Sequence, residues 1–215
     1  HRSIIRKADY LRAFRSSPDK MPAAPDPTGN QGKFDVTHYL MDITFDDTSA
    51  YVTGTVTISL KSVVSSLDSV DINADEALTI TGVLSAIGDP LSYSISGDVV
   101  SIDLDTTLAE GDSIDIEIEY EGYPETAANC GLYFDSYDGT PLIWSLSEPW
   151  SARTWWPCKD YPDDKATFDI YFSVPSELFA ASNGDYKGYT SEMIWGRSFK
   201  EYHWEESYPM TTYLT

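Results

Sequence analysis

Alternation of apolar and polar residues runs through most of this chain and limits what it can fold into. Its clearest stretch has apolar residues interleaved with Thr, Ser and Lys, namely Val52, Val56, Ile58 and Leu60. Successive side chains of a β-strand point to opposite faces, so a period of two predicts strands with one buried and one hydrated face. Helical periodicity is nearly absent after residue 20. The predicted fold class is therefore all-β.

The same period recurs in six further segments, whose apolar positions we expect to face a core. These positions are Tyr39, Met41, Ile43 and Phe45; Leu78 and Ile80; Leu91, Tyr93 and Ile95; Val100, Ile102 and Leu104; Ile114, Ile116, Ile118 and Tyr120; Phe168, Ile170 and Phe172. Turn signals at 88–90, 96–98 and 110–112 separate several strands at spacings typical of hairpins. We predict antiparallel sheets stacked face to face as a sandwich.

The chain before the first strand differs in composition. Residues 1–20 hold six Lys or Arg and two Asp, a net charge of +4, which leaves −25 in the rest of a chain whose total is −21. Residues 3–14 partly fit a helix, and residues 16–33 contain four Pro, two Gly and no hydrophobic period. Such composition is typical of a linker. We predict an N-terminal extension or linker at 1–33 and a single domain at 34–215.

The strong acidity of the chain excludes several classes of partner. A protein with a net charge of −21 is repelled by phosphate backbones and by anionic membranes, so we predict binding to neither. No stretch approaches the roughly 18 apolar residues of a membrane span. The acidity suits a secreted or periplasmic protein, and we expect a location outside the cytoplasm. Cys130 and Cys158 leave two alternatives open, one disulfide or two buried thiols.

Residues that could perform catalysis are sparse. The three histidines, His1, His38 and His203, have no second histidine at metal-ligand spacing, and the HExxH helix of zinc peptidases is absent. His203 lies beside Glu205 and Glu206, but a lone strand histidine is the favoured interpretation. No GxSxG elbow and no Gly-rich phosphate loop occurs either. We expect this chain alone to catalyse nothing.

The densest cluster of aromatic, Pro, Cys and charged residues lies at residues 144–168. Its order is Glu148-Pro149, Arg153, Trp156-Pro157-Cys158-Lys159-Asp160-Tyr161-Pro162 and Lys165-Ala166. This order resembles the amino-terminal domain of the aminopeptidase N and leukotriene-hydrolase type of zinc peptidases. Further segments resemble strands and turns of that family, at 34–39, 54–58, 181–184 and 207–214. The resemblance covers nearly the whole chain apart from its start.

This resemblance implies a saddle-shaped β-sandwich that packs on a separate catalytic domain. In that family the catalytic domain carries a Gly-Ala-Met-Glu-Asn substrate loop and the zinc-binding HExxH helix, neither of which is present in this chain. The intact protein is then expected to be a zinc metallo-aminopeptidase, a hydrolase of peptides with a free amino terminus. Zinc is expected in the catalytic domain, and no cofactor is expected in this chain.

The resemblance also implies roles for individual residues. Glu148 matches the position that reaches the active site and binds the free α-amino group of the substrate, which suits a charge-assisted hydrogen bond. Leu146 matches a position that lines the pocket for the first side chain, where the family often has Gln, so we expect a more apolar pocket. Arg153 and Asp160 are interpreted as an ion pair that, together with Cys158, supports this loop.

Two alternatives from other classes of protein stay open. A free-standing secreted β-sandwich module could bind carbohydrate through exposed Trp144 and Trp150. A calcium-dependent adhesion domain could use the acidic outward faces of the strands around Asp103 and Asp115. No loop, however, gathers the six or more oxygens that calcium requires.

Overall fold

The computed structural model describes residues 29–126 and 130–215, and within them β-strand is the predominant structure. In these ranges twelve strands follow one another: β1 Phe34–Asp46, β2 Tyr51–Ser62, β3 Leu67–Asn73, β4 Leu78–Ser85, β5 Tyr93–Ser96, β6 Val99–Leu108, β7 Ser113–Gly122, β8 Gly131–Tyr137, β9 Thr140–Leu146, β10 Lys165–Pro175, β11 Asp185–Ile194 and β12 Arg197–Thr211. The all-β prediction is confirmed. The partly helical pattern at residues 3–14 lies outside the described residues.

Helical structure in the described ranges consists of short 3-10 turns at Gln31–Lys33, Ala152–Thr154 and Thr212–Leu214. None of the described helices is long and apolar enough to cross a membrane.

The strands form three sheets. A seven-stranded sheet has the order β11-β12-β10-β1-β2-β7-β4, a three-stranded sheet has the order β3-β6-β5, and β8 and β9 form a two-stranded sheet. Every pair in the described ranges is antiparallel except β1 and β10, which run parallel with His38 opposite Thr167. A parallel pair cannot be closed by a tight hairpin. Strands β2 to β9 therefore form the connection between these two central strands.

One apolar core lies between the seven-stranded and the three-stranded sheet. Alternate residues of β1, β2 and β7 supply one side, and Val70, Ile72, Val100 and Ile102 of β3 and β6 supply the other. These four side chains are completely buried. Burying one such side chain contributes about 1.5–3 kcal/mol. The sandwich thus follows from strands whose two faces differ in polarity.

The structure departs from the predicted core at β5. Leu91 is buried as expected, but Tyr93 and Ile95, which we predicted to face the core, are 37% and 54% exposed. Leu104 of β6 is only half-buried. The reason is that β5 is a four-residue edge strand of the smaller sheet, so water reaches both of its faces.

Two of the three predicted hairpin turns connect different sheets. Residues 88–90 carry the chain from β4 to β5, and residues 110–112 carry it from β6 to β7. Residues 96–98 do close a hairpin, between β5 and β6. Turn residues mark where a strand ends, but they do not encode which sheet the next strand joins.

Strands β3, β8, β9 and β11 lack a clear alternation and are not predicted by it. Strand β3 is mostly buried on both faces, whereas β11 is mostly exposed on both. A strand shows a period of two only where its faces meet different environments.

Candidate functional site

The segment between β9 and β10, residues 147–164, holds most of the dense motif and lies outside the strands. We call it the site segment. It follows the buried last residue of β9, Leu146, and contains a cis peptide bond between Glu148 and Pro149. One turn of 3-10 helix forms at Ala152–Thr154. Most of the segment is buried although little of it is regular structure.

The backbone at Glu148 is held by buried groups. The indole N–H of Trp155 donates to the Ser147 hydroxyl at 3.1 Å, and the Ser151 N–H donates to the Ser147 carbonyl at 2.9 Å. The Cys130 thiol donates to the Glu148 carbonyl at 3.2 Å. Ser147, Ser151 and Trp155 are at most 2% exposed. Hydrogen bonds shielded from water are strong, so the fold sets the position of Glu148.

The side chain of Glu148 is exposed. No hydrogen bond or ion pair joins its carboxylate to a residue of 29–126 or 130–215. Glu148 lines a cleft of about 330 Å³ whose walls are both polar and apolar. The apolar side chains of the cleft include Leu132, Trp144, Leu146, Phe172, Val174, Leu178, Phe179, Tyr213 and Leu214. The arrangement offers a fixed negative charge to a cationic ligand that enters this cleft.

Leu146 lies in the wall of the same cleft, but its side chain is only 7% exposed. It ends β9 opposite Gly131 of β8, so the hairpin fixes its position. Its role in a pocket for the first side chain of a substrate stays a prediction, and so does amine binding by Glu148.

Arg153 and Asp160 form an ion pair inside the site segment. Nη1 of Arg153 lies 3.1 Å from Oδ2 of Asp160 and donates to the Trp150 carbonyl at 2.7 Å. Nε of Arg153 lies 2.7 Å from Oδ2 of Asp98. The Thr212 hydroxyl donates to Oδ1 of Asp160 at 3.3 Å. Burial raises the pKa of Asp160 above its usual range, although Arg153 opposes the shift.

Asn73, the last residue of β3, connects the site segment to the smaller sheet. Its backbone N–H donates to the Cys158 carbonyl at 2.8 Å, and the Cys158 N–H donates back at 3.0 Å. Its side-chain oxygen accepts from Gln31 at 2.8 Å and from the Asp160 N–H at 3.2 Å. Sequence reasoning missed Asn73, because a single amide at the end of an apolar strand does not indicate distant partners.

Lys159, for which the sequence suggested no role, ties the site segment to β1. Its ammonium donates to the Phe34 carbonyl at 2.7 Å, lies 4.6 Å from the centroid of the Phe34 ring and forms an ion pair with Asp164. Asp164 in turn accepts a hydrogen bond from the Val36 N–H at 3.3 Å. The motif around Cys158 is thus anchored to both layers of the sandwich.

Both cysteines are buried free thiols. Of the two alternatives left open by the sequence, the structure has two thiols and not a disulfide. Burial raises the pKa of Cys130, and it raises the pKa of Cys158 well above the usual range. Because the thiolate is the nucleophilic form, neither group is poised for reaction. Cys158 contributes to the site segment through its backbone and its packing.

No three His, Cys, Asp or Glu side chains of the described ranges are grouped to hold a metal ion. His38 of β1 and His203 of β12 both contact Asp169 of the intervening strand β10, at 3.5 and 2.9 Å. Each is a partly exposed strand histidine, as we predicted for His203. This arrangement does not fit a zinc site, and no chemical step through zinc is assigned to these residues.

The two tryptophans considered for carbohydrate binding are partly buried. The ring of Trp144 stacks on Tyr133, with centroids 4.1 Å apart and planes 6° from parallel. One face of Trp144 is therefore covered by the hairpin itself. At most one face of Trp144 is thus left for stacking on a sugar.

Fold and cleft together define a class of protein, a β-sandwich domain that presents an exposed carboxylate on a fixed backbone at a cleft. Comparison with known proteins identifies it further. The family model of the Peptidase M1 N-terminal domain matches residues 35–214. The chain therefore belongs to this family, as the resemblance in the sequence suggested.

Similar proteins are much longer than this chain. A leukotriene A-4 hydrolase from Xenopus laevis is 24% identical over 89% of this chain and 32% of its own length. A glutamyl aminopeptidase from Rattus norvegicus is 33% identical over 54% of this chain and 12% of its own length. The chain thus spans about a third or less of these relatives.

Solved structures agree in fold. The M1 zinc metallopeptidase from Deinococcus radiodurans superposes with a TM-score of 0.75 at 24% identity, over 87% of this chain and 42% of that one. A mutant of that enzyme bound to a Tyr-Ser-Ala substrate has a TM-score of 0.74 at 25% identity, with the same coverage.

Proposed function

We propose that this domain packs on the catalytic domain of a zinc aminopeptidase and that Glu148 binds the free α-amino group of the peptide substrate. The proposal rests on a contrast between the backbone and the side chain of Glu148. The backbone of Glu148 is fixed by buried hydrogen bonds, and its carboxylate is exposed at the cleft. An exposed charge on a fixed support is expected where a ligand of opposite charge has to be positioned.

The chemistry of an exopeptidase explains why a carboxylate is useful at this place. Such an enzyme has to recognise an ammonium group at the end of the substrate. A carboxylate binds it through a charge-assisted hydrogen bond, which is shorter and stronger than a neutral one. Glu148 would bind and orient the substrate. The zinc and the groups that perform hydrolysis would come from residues outside this chain.

The proposed contact with a catalytic domain is supported by a strip of aromatic rings beside the cleft. Phe179 lines the cleft and also contacts Tyr186 of β11, with ring centroids 6.1 Å apart. Phe179, Tyr186 and Tyr189 are 63%, 44% and 55% exposed. Exposed apolar surface of this kind is typical of an interface. The relatives extend far beyond the matched region, so a further domain is the natural occupant of this strip.

The proposal is tested by Glu148→Gln and Glu148→Ala in the longest natural protein that contains these residues. A lost charge-assisted hydrogen bond is worth about 1.5–3 kcal/mol. We expect KM for aminoacyl anilides to rise roughly 10–100-fold, more for Ala than for Gln, with kcat much less affected.

The matched control is Glu110→Gln, which makes the same chemical change in an exposed turn between β6 and β7. It is expected to leave KM and kcat unchanged. If KM stayed at the wild-type value in both Glu148 variants, Glu148 would have no part in substrate binding.

A further inference from the structure

A second group of exposed aromatic rings lies on the outward face of the seven-stranded sheet, the face opposite the core. Tyr51 begins β2, Tyr123 follows β7, and Trp195 occupies the turn between β11 and β12. The Tyr51 ring centroid lies 5.2 Å from that of Tyr123 and 6.1 Å from that of Trp195. Tyr123 and Trp195 are 61% and 54% exposed. These three residues form what we call the outer aromatic patch.

The backbone at Trp195 is unusual for such a large residue. Trp195 has φ +49° and Gly196 has φ +78°, in a two-residue turn between the paired residues Ile194 and Arg197. Turns of this kind need positive φ at both positions and favour Asn-Gly. A left-handed conformation costs a residue with a side chain about 1–2 kcal/mol. Backbone strain of this kind is often found at functional sites, and the Trp195 ring is half exposed to water.

Acidic groups surround the patch. The Tyr51 hydroxyl donates to Oε2 of Glu121 at 2.7 Å. Burial and this hydrogen bond raise the pKa of Tyr51 to about 12, so the patch keeps its protonated phenol at neutral pH. Nearby, the guanidinium of Arg197 is shared by three carboxylates at 3.0–3.4 Å, those of Asp46, Asp47 and Glu177. The single cation is more than neutralised, and the rim of the patch is negative.

We propose that the outer aromatic patch is a docking site for an extended, arginine-rich segment of a partner protein. The faces of Trp and Tyr rings attract guanidinium groups, and each contact of this kind is worth about 0.5–1 kcal/mol at an exposed site. The negative rim and the net charge of −21 favour a cationic partner and speed its approach. The patch lies on the face opposite the core, and it does not share residues with the cleft at Glu148.

Binding of a fluorescent peptide of alternating Gly and Arg to the 215-residue chain tests the proposal. The decisive variant is Trp195→Asn, which removes the ring, keeps the net charge and supplies the Asn-Gly turn that this geometry favours. We expect a loss of affinity of about 2–5-fold, the equivalent of one such contact, by fluorescence anisotropy at about 0.15 M salt. The melting temperature is expected to stay equal or rise, which separates binding from folding.

Tyr123→Ser is a second variant expected to weaken binding, and Tyr208→Ser is the matched control. Tyr208 is 83% exposed near the opposite end of β12 and contacts none of the three rings. Three results would each overturn the proposal. These are no binding of the Arg peptide to the wild type, equal affinity in wild type, Trp195→Asn and Tyr123→Ser, and equal binding of a neutral Gly-Gln peptide.

Discussion

The site segment is irregular but buried, whereas β11 of the β11-β12 hairpin is regular but exposed. Residues 147–164 contain one short turn of helix, yet Trp155, Trp156 and Cys158 within them are at most 2% exposed. The hairpin is a ladder of β11 with residues 197–205 of β12, interrupted by one register shift, but no side chain of β11 is buried.

Regular structure and rigidity are separate properties in this fold. The site segment is bonded through side chains and backbone to β1, to the end of β3 and to the turn after β12. In the hairpin, β12 is also paired with β10, but β11 lies at the edge of the sheet and is paired with β12 alone. Local stability follows buried contacts and protected hydrogen bonds. We therefore expect the irregular segment to open only with the whole fold, and the edge strand β11 to open more easily.

The largest expected difference is in thiol alkylation. In a chain with Cys130→Ser and Ser191→Cys, one thiol lies in the site segment at Cys158 and the other on exposed β11. Cys158 is completely buried and its raised pKa leaves little thiolate, so it should react only after unfolding. With a stability of at least about 5 kcal/mol, its labelling should be at least ~4,000-fold slower than in urea. The thiol at position 191 should react within about 10-fold of its unfolded rate.

Peptide mapping by mass spectrometry follows both thiols in the same sample. Equal labelling rates at positions 158 and 191 would contradict the expectation that the site segment opens less easily than β11.

The next effect in size is the loss of the buried carboxylate at Asp160. Asp160→Ala removes a partner of Arg153, whose side chain is only 12% exposed, and leaves the Thr212 hydroxyl without its acceptor. Breaking a buried ion pair costs about 3–5 kcal/mol. We expect the free energy of unfolding, measured in urea, to fall by about 3 kcal/mol. Asp105→Ala, on an exposed position of β6, is the control and should change it by less than about 0.5 kcal/mol. Similar losses in both variants would show that the site segment is no better anchored than the surface.

The smallest effect is expected in the hairpin. Tyr189→Thr removes a ring that is 55% exposed and contacts Tyr202 and Lys200 at 5.5 and 5.4 Å. Thr favours strands, so the free energy of unfolding of this chain should change by no more than about 0.5 kcal/mol. In a longer protein whose catalytic domain covers the aromatic strip, the same substitution should cost more. An equal, small effect in both forms would argue against that interface.

Strands with one buried face were predictable from the sequence, and the others were not. The alternation in β1, β2, β7 and β10 identified residues that do form the core, because each strand meets water on one side. The same rule failed for Tyr93 and Ile95, where both faces of β5 are in water. The parallel pairing of β1 with β10 was also not predictable from the alternation. Alternation determines which residues share a face, but it carries no information on strand direction.

The candidate site was predictable where partners are close in sequence. Arg153 and Asp160 are seven residues apart, and their ion pair is present. Asp98 and Asn73, which complete the network, lie in a turn and a strand far upstream, where nothing local marks them. The outer aromatic patch was not predicted for the same reason, since its rings come from the start of β2, the residue after β7 and the turn between β11 and β12. The role of Glu148 stays a prediction until KM is measured.

The parallel pairing of β1 with β10 has a consequence for how the chain is made. His38 meets Thr167, which follows it by 129 residues. At about 5–20 residues per second, the ribosome needs roughly 6–26 s to deliver the second strand after the first. Until then the half-built sheet of β1, β2, β7 and β4 has an apolar strand with an open edge. Such an edge can pair with other chains. Newly made protein is therefore most exposed to aggregation in this interval, and folding from the denatured state should be slow because its central contact is so distant.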